Sequence, residues 1–87
     1  MNSNIKILIV DDDPDLLFAA ARVIRPAGYE VLTASTAGHC MEIVKNKRPD
    51  LILLDVVLPD ADGQTLCRQI KADPALKNLR AYLHFQG

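Results

Sequence analysis

Two short runs of aliphatic residues, Ile-Lys-Ile-Leu-Ile-Val at 5–10 and Leu-Ile-Leu-Leu at 51–54, each stop abruptly at an aspartate, Asp11 and Asp55. A strand with one wet face alternates apolar and polar side chains. A strand covered on both faces has no reason to alternate, and these runs barely do. They predict central strands of a parallel sheet sandwiched between helices. Both are far too short to cross a bilayer.

Helix-period segments fill the gaps between these runs and a third, weaker strand. Asp12 or Asp13 can cap a first helix, Pro14 suits its first turn, and Pro26 and Gly28 end it. Its apolar face comprises Leu16, Leu17, Ala20, Ala21, Val23 and Ile24. Residues 29–33 alternate more and read as a strand nearer the sheet edge. Thr36 caps a second helix reaching about Asn46, with Ala37, Cys40, Met41, Ile43 and Val44 inward. Pro49-Asp50 breaks the chain before the 51–54 strand. Asp62 or Gly63 then opens a third helix, with Leu66 and Ile70 inward and Arg68 and Lys71 outward, ending at Asp73-Pro74. Strand and helix in strict alternation give the α/β class, with right-handed crossovers.

A length of 87 residues predicts one domain with a modest core. The net charge of −1 argues against binding to nucleic acid or to an anionic membrane. The first four residues lack a leader pattern, so the expected location is the cytoplasm. Cys40 and Cys67 sit in apolar-periodic stretches and read as buried free thiols. His39 and His84 have no partners at metal-ligand spacing and are read as bland.

In open parallel sheets, ligands bind beyond the carboxyl ends of the strands. The residues there are Asp11, Asp12 and Asp13 after the first strand and Asp55 after the third. If those strands are neighbours, Asp11, Asp12 and Asp55 converge. Carboxylates that close repel one another, and a divalent cation resolves the conflict. Mg²⁺ suits such a site, because it takes oxygen ligands through one or two carboxylates and keeps several waters. A carboxylate beside it can act as a nucleophile toward a phosphoryl donor. Helix capping explains each aspartate singly but not the set; Asp13 alone needs no further role. Two rival motifs fare poorly. Asp60-Ala61-Asp62-Gly63 faintly resembles the nucleophile loop of dehalogenase-type phosphatases, but residues 56–59 separate it from its strand. Asp11, Asp13 and Asp15 alternate like a calcium loop, but Leu16 stands where glycine is required.

Ile7-Leu8-Ile9-Val10-Asp11-Asp12-Asp13, Gly28-Tyr29-Glu30-Val31, and Asp50 through Leu54 followed by Asp55-Val56-Val57-Leu58-Pro59-Asp60-Ala61-Asp62-Gly63 together resemble the receiver domains of two-component response regulators. The resemblance runs from about residue 6 to 79. It implies a flavodoxin-like parallel sheet of order 2-1-3-4-5 and a function as phosphoacceptor of a phosphorelay rather than as a conventional enzyme. It puts the phosphorylated aspartate at Asp55 and the acidic pair at Asp11 and Asp12. Asp12 would be a direct Mg²⁺ ligand, Asp11 would act mainly through water, and the Val57 backbone carbonyl would complete the metal shell. Pro59 and Gly63 match the turn into the third helix. The implied partner is a histidine kinase or phosphotransfer protein.

A complete receiver has five strands and five helices, with a Ser or Thr after the fourth strand and a Lys after the fifth. Here no Ser or Thr follows Thr65 and no Lys follows Lys77. Residues 1–79 are therefore expected to be the N-terminal part of a receiver, cut short after three strand–helix units, and phosphorylation is expected to be weak or absent. Residues 80–87 are a non-native tail or a partial fourth strand, since Leu83-His84-Phe85-Gln86-Gly87 resembles a viral-protease recognition sequence. Self-association through an open third- or fourth-strand edge is the expected consequence. The alternative function is a non-catalytic assembly fragment with a vestigial acidic pocket.

Overall fold

The computed structural model describes residues 5–84. The elements follow in the order β1 (Lys6–Val10), α1 (Pro14–Ile24), β2 (Glu30–Ala34), α2 (Ala37–Lys47), β3 (Leu51–Asp55), α3 (Gly63–Ala72) and β4 (Arg80–His84). Short 3₁₀ turns occupy Arg25–Ala27 and Pro74–Leu76. The four strands form one parallel sheet of order β2-β1-β3-β4, a flavodoxin-like arrangement.

The aliphatic runs end up where their composition demands. β1 and β3 are the two central strands, and Leu8, Ile9, Val10, Ile52 and Leu54 are buried. Burying each such side chain fully is worth roughly 1.5–3 kcal/mol. β3 is paired on both sides, by β1 and β4, so the expectation of an open β3 edge is corrected; the sheet edges are β2 and β4. Strand boundaries also differ, and β3 runs one residue further than expected, through Asp55. Ile5 lies outside β1 and is largely exposed, although its carbonyl accepts from the Glu30 N–H at 3.0 Å. β2 begins one residue later than expected and takes in Ala34. Residues 80–84 form a strand; Phe85, Gln86 and Gly87 lie outside the described residues.

The helix starts are capped as their sequences suggest. Asp13 accepts from the N–H groups of Asp15 and Leu16, Thr36 from that of His39, and Asp62 from that of Gln64. Gly28, at φ 103°, supplies the left-handed turn into β2.

The two faces of the sheet are unequally covered. On one, α2 and α3 pack Cys40, Val44, Leu66, Cys67 and Ile70 over Leu8, Val10, Ile52, Leu54 and Ala81. On the other, among the described residues, Ile7, Ile9 and Val31 meet only α1, through Ala21, Leu17, Ala20 and Ile24. Leu51 and Leu53 are half-buried there, and Tyr82, level with Leu53, is exposed. Val23, expected on the core face of α1, is 75% exposed, as is much of Phe18. The stripe that touches the sheet is Leu17, Ala20, Ala21 and Ile24, and Val23 falls outside it. No helix among the described residues is long and apolar enough to cross a membrane.

Candidate functional site

Asp55 is the last residue of β3, and Asp11 follows directly on β1. Because β1 and β3 are hydrogen-bonded neighbours with Val10 level with Leu54, the next residues on each strand, Asp11 and Asp55, emerge side by side. Asp12 joins them, and one carboxylate oxygen from each of the three lies within 4.8 Å of the others. Asp11 is fully buried and Asp55 is 3% exposed, whereas Asp12 faces solvent. Asp13 stands apart as the cap of α1.

Backbone amides hold the two buried carboxylates in place. The Asp11 N–H donates to the Ala34 carbonyl at 3.0 Å, fixing its backbone to the edge strand. The Asp13 N–H donates to Asp11 Oδ1 at 2.9 Å, and the Val57 N–H donates to Asp55 Oδ1 at 3.3 Å. Such bonds fix the direction in which each carboxylate points. Two buried carboxylates and one exposed one, all oxygen donors, fit a hard divalent cation bound from the solvent side.

The loop after Asp55 is folded tightly on itself. Val57 and Asp62 form an antiparallel bridge, the Leu58 N–H donates to the Ala61 carbonyl at 3.2 Å, and the Gly63 N–H donates to the Val56 carbonyl at 2.8 Å. Gly63 lies against the Asp55 peptide: a Cβ there would run into the Asp55 carbonyl. That close approach is the physical reason for glycine at this position. Leu58 anchors the loop in the core, while Pro59 and the Val57 side chain are exposed.

Two residues at this end of the sheet make contacts that their local sequence did not indicate: His84, read as bland, and Asp60, singled out only in a rival phosphatase motif. His84, level with Asp55 on β4, brings Nε2 to 3.4 Å from Asp11 Oδ2, an electrostatic contact without hydrogen-bond geometry. Asp60, in the loop, accepts from the backbone N–H groups of Ala37 and Gly38 at the start of α2, at 2.8 and 3.0 Å. Both contacts join residues remote in sequence. A shallow cleft lined by Val44, Arg48, Leu76 and Leu79 lies near the opposite end of the strands and is no part of this acidic site.

Residues 7–81 match the family model of the response regulator receiver domain. The chain belongs to that family. This receiver domain is 38% identical over 68 residues to the alkaline phosphatase synthesis transcriptional regulatory protein PhoP of Bacillus subtilis, a match covering 78% of this chain and 28% of the relative. It superposes with a TM-score of 0.86 and 32% identity on the crystal structure of the N-terminal domain of a response regulator receiver protein from Methanoculleus marisnigri, covering 93% of this chain and 66% of that one. A CheY-like receiver domain protein from Methanospirillum hungatei gives 0.85 and 34%, over 95% and 65%. The chain thus spans less than a third of its curated relative and about two thirds of the solved receivers.

Proposed function

We propose that this receiver domain is a phosphoacceptor whose nucleophile is Asp55. The observation that carries the reading is the convergence of the Asp11, Asp12 and Asp55 carboxylates beyond the ends of two buried strands. In the reaction, an Asp55 oxygen attacks phosphorus, the bond from phosphorus to the donor's leaving group breaks, and an aspartyl phosphate remains. Asp11, Asp12, Asp55 and the Val57 carbonyl would hold Mg²⁺. When bound, the ion neutralises charge on the phosphoryl oxygens. Pro59 and Gly63 shape the loop, Gly63 by letting the start of α3 close onto the Asp55 peptide.

The donor is proposed to be a histidine kinase or phosphotransfer protein, met in the cytoplasm. Relatives named as a transcriptional regulatory protein and a DNA-binding response regulator support a signalling role for the whole protein rather than conventional turnover. Incubation with Mg²⁺ and acetyl phosphate, followed by intact mass, tests the site. The expected result is a phosphoryl adduct on wild type that Asp55→Asn abolishes. No adduct on wild type, or an equal one on the variant, refutes it.

A second reading is self-association, favoured by one observation: among the described residues β4 has a sheet neighbour on one side only, and Tyr82 within it is exposed. On that reading β4, Arg80–His84, is the pairing segment. Sedimentation showing only monomer at micromolar concentration refutes it.

A further inference from the structure

We infer that Asp60 is a positioning residue for the acidic site, its carboxylate latching the loop that follows Asp55 onto the first turn of α2. Asp60 Oδ1 takes the Ala37 N–H at 2.8 Å and Oδ2 takes the Gly38 N–H at 3.0 Å, across more than twenty residues of chain. One rigid carboxylate accepting two amides fixes direction as well as distance. The amides are those that a helix start leaves without an internal partner, and the end of the helix dipole there favours a negative charge.

Capping alone does not explain the arrangement. α2 already has a local cap, since Thr36 Oγ1 accepts from the His39 N–H at 3.1 Å. What Asp60 adds is a tie between two elements. The loop is closed on itself by the Val57–Asp62 bridge and by the Leu58–Ala61 and Gly63–Val56 bonds. Because these bonds tie the loop's tip to its base, holding Asp60 also restrains the base. That base carries Asp55, the Val57 N–H that donates to it, and the Val57 carbonyl. The same two amides keep the Asp60 carboxyl below the ordinary aspartate range, so the latch stays charged under physiological conditions.

Part of the test rests on the metal-binding reading above, and part does not. Two variants attack the latch from opposite sides. Asp60→Ala deletes the acceptor. Ala37→Pro deletes a donor without changing any charge; Ala37 is the first helical residue, where proline is favoured, and Thr36 before it is already extended at φ −138°, ψ 161°. Amide exchange is measured for Leu58 and Gly63 against Leu8 and Ile52 in the sheet. Both variants are expected to speed exchange at Leu58 and Gly63 by about tenfold, the scale of one lost charge-assisted hydrogen bond, while the sheet amides hold.

Calorimetric Mg²⁺ affinity should weaken about 3- to 10-fold in each, less than the ~10–100-fold typical of groups bonded directly to a metal ligand. The double variant should be no worse than Asp60→Ala alone, which already removes both bonds. Faster exchange confined to the amides of His39 and Cys40, with Leu58, Gly63 and Mg²⁺ affinity unmoved, reduces Asp60 to a helix cap and overturns the inference. If wild type binds no Mg²⁺, the metal reading falls, and the Leu58 and Gly63 amides still decide for or against the latch.

Discussion

His84 on β4 reaches past the end of β3 to bring its imidazole Nε2 within 3.4 Å of Asp11 Oδ2 at the end of β1. A nitrogen donor is thereby placed beside an otherwise all-oxygen site. Imidazole suits Zn²⁺ and Ni²⁺ and is a poor ligand for Mg²⁺. His84→Ala is therefore expected to lower Zn²⁺ or Ni²⁺ affinity by about tenfold while changing Mg²⁺ affinity little. Titration calorimetry with each ion checks this, and an equal loss for both ions counts against it.

Gly63→Ala should be among the costlier single-methyl additions in the chain. Its Cβ meets the Asp55 carbonyl and comes within 3.0 Å of Val56 Cα, and neither is the free end of a flexible side chain. Overpacking of this kind costs about 1–3 kcal/mol or more, some 4–8 °C in Tm per kcal/mol for a domain of this size. Gly38→Ala is the control. Its Cβ would meet only Asp60 Oδ2 at 3.7 Å, an ordinary contact, and alanine favours a helix by up to about 1 kcal/mol over glycine. Urea melts should move in opposite directions for the two variants.

Burial, and secondarily the Asp60 charge, pushes the Cys40 thiol up to about 11. The reactive species is the thiolate, so little of it exists at pH 8. A disulfide reagent added to the native protein should modify Cys40 only as fast as the fold opens, and urea should release it at once. Immediate native reactivity at Cys40 would contradict the burial described for it.

Asp60 offers a pH test of its contacts. Hydrogen bonds from the Ala37 and then the Gly38 backbone lower its pKa below the ordinary value of 3.8. A carboxyl depressed on folding contributes stability that is present above its unfolded value and is lost as pH falls through the folded one. The Ala37 and Gly38 amide resonances should hold steady down to about pH 4 and move only in the more acid range. Titration of those amides at or above the ordinary aspartate value would deny the bonds.

The parallel sheet and the acidic site were legible because each rests on short-range cues. Short aliphatic runs without alternation, too short for helices, read as central strands, and Asp11, Asp12 and Asp55 sit at their ends. Leu66, Ile70, Cys40 and Cys67 likewise followed from helical period. Val23 did not, because periodicity defines a broad apolar face but not which stripe of it meets the sheet. His84 and Asp60 were illegible for a different reason. The meaning of His84 depends on the register of β4 against β3, and that of Asp60 on where the start of α2 lies relative to a loop more than twenty residues away. Neither distance has a signature in local spacing.

The unequal covering of the sheet bears on the order in which the molecule comes apart. α1 has the least to lose by lifting off, since Phe18 and Val23 are already largely in water and only Ala21 of its residues is buried. The segment leading into it carries Asp11 and Asp12, and the Asp13 N–H binds the Asp11 carboxylate. Departure of α1 would therefore pull on two of the three carboxylates. A cation gripping all three would act as a clasp on the loosest helix. Its concentration would then govern how often α1 opens as well as what Asp55 can accept.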